Sequence, residues 1–119
     1  MSKIPTISRE SEFGQVFSSG KVYPAQYFVL YVLPNGTDAN RYGFTAGKKV
    51  GNAVVRNRLK RLLKEVVRLH GKRLKKGFDF VLVARSAGTG RCFHDIEKDF
   101  CRLVDKNKLV SDVTKGRPI

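Results

Sequence analysis

The stretch Val50–Arg68, VGNAVVRNRLKRLLKEVVR, constrains the fold more than any other part of this chain. It holds six Lys or Arg residues against one acid, Glu65, and seven Val or Leu are threaded among them from Val54 onward. A solvated charge run does not interleave with that many aliphatics. At 100° per residue, Leu69, Leu62, Val55, Val66, Leu59 and Leu63 fall in a sector about 120° wide, the stripe of a packed helix. Arg56, Lys60, Lys64, Arg68, Arg61 and Arg58 sweep the remaining arc, with Asn57 among them. One face is expected in the core, and the other is a basic ridge. Glu65 can pair with Arg61 or Arg68, but the other cations have no acid three or four residues away. Like charge at that density opposes folding, and phosphate is the natural compensating partner.

The rest of the composition agrees. The net charge is +14, and twelve of the 24 basic residues lie between Lys48 and Lys76 with a single acid. Such a field implies a polyanionic partner. The longest apolar run, Tyr27–Leu33, has seven residues, far short of the ~20 of a membrane span. With no apolar run in MSKIPTISRE either, the expected setting is the cytoplasm, with no membrane partner. The 119 residues suit a single domain over 1–119, burying roughly two-thirds of its unfolded surface. Residues 1–7 and 114–119 are expected to fray.

Ser8 can cap a first helix on which Phe13, Val16 and Phe17 share a face, and Gly20 suits its end. Lys21–Leu33 reads as strand broken at Pro24, and Arg41–Ala46 as a further strand and hairpin partner. The basic loop Gly47–Gly51 leads into the quoted helix, which Gly71 ends. Phe78–Ala84 is almost continuously apolar, the pattern of a strand covered on both faces. A last helix aligns Phe93, Ile96, Phe100, Leu103 and Val104. The class is α+β, one sheet with helices packed on it.

Little here suits protein-only catalysis. Metal-assisted phosphodiester cleavage needs clustered carboxylates or a His base. Asp95 and Asp99 share a helix face and can hold a cation, but capping and surface solvation explain them more simply. His70 at a helix end suits the dipole. Cys92 and Cys101 lack a zinc-ligand spacing and read as reduced thiols. No catalytic or metal-ligating residue is assigned. Helix-turn-helix spacing is absent.

The order Lys48-Lys49-x-Gly51-Asn52-Ala53-Val54-x-Arg56-Asn57-Arg58-Leu59-Lys60-Arg61 resembles the Arg-Asn-Arg signature of the bacterial ribonuclease P protein subunit. The likeness extends to Phe13 and Phe17, to Phe28–Tyr31, to Arg41-x-Gly43 and to the strand ending Ala84-Arg85. It implies an α-β-β-β-α-β-α sandwich around a four-stranded sheet, of the type seen in the second domain of a small-subunit ribosomal protein, with a left-handed β-α-β crossover. It also implies a non-catalytic subunit of an RNA-based endonuclease. The RNA subunit would hold the magnesium ions and cut the 5′ leader from precursor tRNA, and no obligate protein partner is implied. Arg56, Asn57, Arg58, Lys60, Arg61, Lys64 and Arg68 would face the catalytic RNA. Phe13, Phe17 and Tyr31 would line a cleft for the single-stranded leader, edged by Lys48 and Lys49. The residues alone read Phe13 and Phe17 as core residues by default and leave Tyr31 open, since alternation with Val29 and Leu33 does not say which sheet face is covered. A ribosomal or general RNA-binding module with no role in cleavage is the alternative.

Overall fold

A computed structural model describes residues 4–7 and 9–110. Three helices, α1 (Glu10–Ser19), α2 (Ala53–His70) and α3 (Phe93–Lys106), accompany four strands, β1 (Lys21–Pro24), β2 (Phe28–Pro34), β3 (Arg41–Ala46) and β4 (Phe78–Ala84). The sheet order is β1-β2-β4-β3. β1 and β2 form an antiparallel hairpin, β2 runs antiparallel to β4, and β4 runs parallel to β3. β3 is therefore not the hairpin partner of β2. The near-continuous apolar strand β4 takes the place between them, and β3 goes to the edge. The physical reason is the connection: α2 intervenes between β3 and β4, and a crossover helix delivers a parallel strand.

Strand alternation sends Phe28, Leu30, Tyr42, Phe80 and Leu82 to one face, where α2 and α3 cover them in the main core. Val81 goes to the other face, where Ile7 and Val16 complete a smaller core beneath α1. β4 is covered on both sides, as its apolar run implies. Among the described residues, no helix is long and apolar enough to cross a membrane.

Local chemistry sets the element ends. Asn52 caps α2 by accepting from the Val55 amide at 3.0 Å. α1 begins at Glu10 with Arg9 as its cap residue and no side-chain cap bond. Ser8 lies outside the described residues. Glu10 and Glu12 instead place negative charge at the positive end of α1. Gly20 ends that helix at φ −80, not in a left-handed conformation. A Cβ there would meet the Val16 carbonyl oxygen at 2.6 Å, so the glycine serves close approach. Residues 4–7 are not frayed: the Ile7 amide donates to the Tyr42 carbonyl at 2.8 Å, the Tyr42 amide donates to the Pro5 carbonyl at 3.0 Å, and Ile7 is buried. They cover part of the β3 edge. Residues 114–119 lie outside the described range.

The buried face of α2 is rolled relative to the sequence stripe. Leu59, Leu63, Val66 and Val67 are buried, while Leu69 is 48% exposed. The shift is about 45° at 100° per residue. Periodicity reports a mean apolar direction, whereas the sheet and α3 decide which edge of the stripe they contact.

Two buried carboxylates tie the elements together. Asp99 accepts from the Gln26 and Tyr27 amides at 3.2 and 2.8 Å. It is thus the anchor of the β1–β2 turn, not a solvated or cation-holding residue. Asp79 on β4 receives both arms of Arg41, Nε at 3.0 Å and Nη2 at 2.7 Å, and the Asn35 amide at 3.0 Å. Arg41 reaches Glu12 on α1 with Nη1 at 2.9 Å. Burial opposes ionisation of Asp79, but the Arg41 and Asn35 hydrogen bonds prevail and hold its carboxyl below the ordinary 3.8. The stability contributed by this pair is present above that ordinary value and drains as pH falls through the lower folded one. Arg41→Met should therefore destabilise the domain by about 1–3 kcal/mol near pH 7, where Asp79 is left charged and unpaired. The gap in melting temperature from wild type should narrow below pH 4. A gap independent of pH would show that the Arg41 stem, not its charge, does the stabilising.

Candidate nucleic-acid interface

The basic residues of α2 form a ridge on the sheet face that carries the main core. Asn57, Arg61 and Lys64 are exposed, and Arg56, Arg58 and Lys60 are half-buried. The partial burial of Arg56 and Lys60 follows from the roll of the helix, whereas Arg58 lies against the Arg91 carbonyl. Arg56 and Lys60 flank the buried Leu63–Val67 edge, so their stems lie along apolar surface while their heads reach water. Between α2 and the edge strand β3 is a groove of about 250 Å³, lined by Phe44, Asn57, Lys60, Arg61 and Lys64. Phe44 was not singled out from the sequence, because a strand aromatic with no partner in view reads as core.

Two members of the ridge are already engaged. Arg68 forks onto Glu65, with Nε to Oε1 at 2.9 Å. That hydrogen bond lowers the Glu65 carboxyl pKa and raises that of Arg68. The Arg58 guanidinium donates to the Arg91 carbonyl at 2.9 Å. Among the described residues, Arg56, Lys60, Arg61 and Lys64 have no acid within ion-pair distance. They remain available to phosphate.

The aromatics lie on the opposite face of the sheet. Phe17 is 41% exposed. Its ring meets Tyr31 edge-on, with centroids 4.9 Å apart, and lies 6.3 Å from Phe13. The three are not equivalent. The Phe13 ring tip sits on Gly43, where a Cβ would come within 2.6 Å of Cε1. Phe13 is therefore packing that seats α1 on β3, whereas Phe17 and the half-buried Tyr31 offer surface. In the row next to Tyr31 on this face, Val29, Val83 and Thr45 are half-buried and in register. They extend the floor toward the ends of β3 and β4; alternation along β2 puts Val29 on the Tyr31 face, but nothing local shows that Val83 and Thr45 lie beside it. Lys48 and Lys49 are exposed in the short turn Lys48–Val50, directly after β3 and before α2. That turn stands between the two surfaces. It is pinned to the segment after β4, where Ser86 and Thr89 hydroxyls donate to the Lys49 and Val50 carbonyls at 3.3 and 3.2 Å. Arg85 in the same segment donates to the Ala25 carbonyl at 2.9 Å.

Most carboxylates are committed elsewhere. Glu12 and Asp79 hold Arg41, Asp99 holds the β1–β2 turn, and Arg73 meets Asp105 at 3.1 Å. Glu97 receives His70 at 2.7 Å across the α2–α3 contact, and that hydrogen bond lowers its carboxyl pKa. His70 is thus an interhelical clasp beside Phe100. Both cysteines are free; burial pushes the Cys101 thiol up. No group of three or more His, Cys, Asp or Glu among the described residues is placed to hold a metal ion. What the arrangement offers chemically is a phosphate-seeking ridge and an aromatic cleft.

Comparison with known proteins places this arrangement in a family. The family model for ribonuclease P matches residues 1–108. The chain is 44% identical over 110 residues to the ribonuclease P protein component of Natranaerobius thermophilus, covering 92% of this chain and 96% of that one. It is 44% identical over 106 residues to the protein component of Clostridium acetobutylicum, covering 87% and 89%. Among solved structures, the RNase P protein of Staphylococcus aureus superimposes with a TM-score of 0.81 at 25% identity, over 92% of this chain and all of that one. The RNase P protein of Thermotoga maritima gives 0.76 at 30% identity, over 85% and 96%. Alike in sequence and fold over most of its length, the chain belongs to the ribonuclease P protein family.

Proposed function

We propose that the chain binds the catalytic RNA of ribonuclease P through the α2 ridge and the 5′ leader of precursor tRNA through the α1–sheet cleft. The observation that carries this reading is the solvent-exposed Phe17 ring against Tyr31, on the sheet face opposite the unneutralised ridge, with the Lys48-Lys49 turn between the two. One surface suits a structured RNA and the other a single strand. Arg presents a bidentate fork to phosphate, and Lys a point charge. Aromatics beside cations bind single strands with little base preference, the tolerance that leaders of differing sequence require.

On this reading the protein binds and positions, and the RNA supplies the chemistry. Magnesium would be held by RNA phosphates, because most of the described carboxylates are spent on Arg41, His70, Arg68 and Arg73 or on backbone amides. The subunit itself is assigned no catalytic residue. The same reading puts it in the cytoplasm, where bacterial tRNA is transcribed.

For the ridge, Arg61→Ala and Lys64→Ala should leave the melting temperature nearly unchanged. Each should flatten the log–log salt dependence of catalytic-RNA binding by about 0.9 in slope per lost phosphate contact. Leu63→Ala should instead cost about 2–5 kcal/mol of stability. Ridge variants that melt like Leu63→Ala, or that leave the slope intact, would remove α2 from the interface.

For the cleft, Phe17→Ala and Tyr31→Ala should weaken holoenzyme affinity for precursor tRNA with a long leader. The loss of a stacked base, about 1–3 kcal/mol, is roughly 5- to 150-fold. Mature tRNA, which lacks a leader, should bind as before. Equal losses on both RNAs would refute leader binding in the cleft. Reconstitution with the catalytic RNA at low magnesium separates this role from that of a general RNA-binding module, which would not raise cleavage.

A further inference from the structure

Beyond the far end of α2 from Arg56 lies a second concavity of about 260 Å³. At 1.5 Å per residue, roughly 20 Å of helix separates it from the start of the ridge. Ile4, Pro5 and Val67 contribute an apolar wall, and Arg68, Lys72 and Lys76 contribute the cations. No acid lines it.

Tyr42 also lines this pocket. It is 5% exposed, and its ring stacks on Phe80 with centroids 5.6 Å apart. Its hydroxyl lies beside two further lining residues, 3.4 Å from the Asn40 amide that donates to it and near Gly71. The Asn40 amide also donates to the Lys75 carbonyl at 2.9 Å, and the Asn40 carbonyl oxygen accepts from the Phe78 amide at 3.0 Å. Both Asn40 amide protons are therefore used, and among the described residues no hydrogen bond takes up the Tyr42 hydroxyl proton. A buried hydroxyl seldom leaves its proton unused. Lys72 and Lys76 have no acid within ion-pair distance among the described residues, and Arg68 shares its charge with Glu65.

We infer that this pocket is a second phosphate-binding site that takes one nucleotide of RNA, with the Tyr42 hydroxyl and the Lys72 and Lys76 ammonium groups on the phosphate oxygens. The apolar wall receives the ribose or base. The dipole at the carboxyl end of α2 opposes an anion, so the side-chain cations carry the attraction. The inference rests on the proposed function only in naming RNA as the carrier of the phosphate; the site shares Arg68 with the end of the ridge and otherwise lies outside both surfaces described above.

The test is an amide NMR titration of the full chain, reading Gly71 and Lys72, first with inorganic phosphate and then with a single-stranded oligoribonucleotide. Saturable shifts at both amides are expected with each probe. Tyr42→Phe keeps the ring on Phe80 and should weaken phosphate binding about 10-fold, the value of one hydrogen bond to a charged group. Lys76→Gln, an exposed position, should weaken it comparably and serves if Tyr42→Phe fails to fold. Absence of saturable shifts with phosphate, or shifts unaltered in both variants, overturns the site. Saturation by phosphate without response to the oligonucleotide overturns RNA as the ligand while leaving the ridge and cleft untouched.

Discussion

Asp79 sets the constraint on which the candidate surfaces depend. It is a buried carboxylate on the central strand, and such a group is tolerated only when its charge is met. Arg41 meets it with two hydrogen bonds from the neighbouring strand and extends a third to Glu12. One guanidinium thus joins β4, β3 and α1. The consequence reaches the cleft: with α1 held at Glu12 and seated through Phe13 on Gly43, Phe17 is carried one turn further along the sheet, where it meets Tyr31 on β2. The aromatic wall is exposed because the helix beneath it is anchored elsewhere.

α2 presents the opposite balance. Its cations repel one another, and only Arg68 has an intrahelical acid partner in place. The helix persists because Leu59, Leu63, Val66 and Val67 are buried against the sheet and α3. Packing on one face sustains unfavourable charge on the other, and the groove against Phe44 gives that charge a concave boundary. The Lys48-Lys49 turn links the two elements because the chain leaves β3 there and enters α2. Hydrogen bonds from Ser86 and Thr89 fix it between them.

Much of this was legible in the residues. The break at Pro24, the central burial of Phe78–Ala84 and the two-faced character of α2 follow from periodicity and turn chemistry, which act over a few residues. The errors have a common origin in partners distant in sequence. The assignment of β3 as a hairpin partner failed because hairpin signals are local, whereas the parallel β3–β4 pair is made across an intervening helix. Asp99 was read as solvated because nothing near it in sequence reveals that it caps amides 72 and 73 residues away. Phe13 and Phe17 look alike on a helix, and only the position of Gly43 beneath one of them makes that one packing and leaves the other as surface.

The sequence by itself determined the charge of +14, the helical alternation that concentrates it, and the ordered Arg-Asn-Arg segment that identifies the family. These are properties of residue type and spacing, and they survive any arrangement of the elements. Tertiary structure alone decided which cations remain unpaired, which aromatic stays in solvent and that ridge and cleft lie on opposite faces of the sheet. It also set the Tyr42 hydroxyl among the cations of a pocket shared by the N-terminal segment, β3 and the end of α2. Each of those outcomes depends on where a side chain's neighbours come from, and the neighbours are brought there by strand order and helix packing rather than by proximity along the chain.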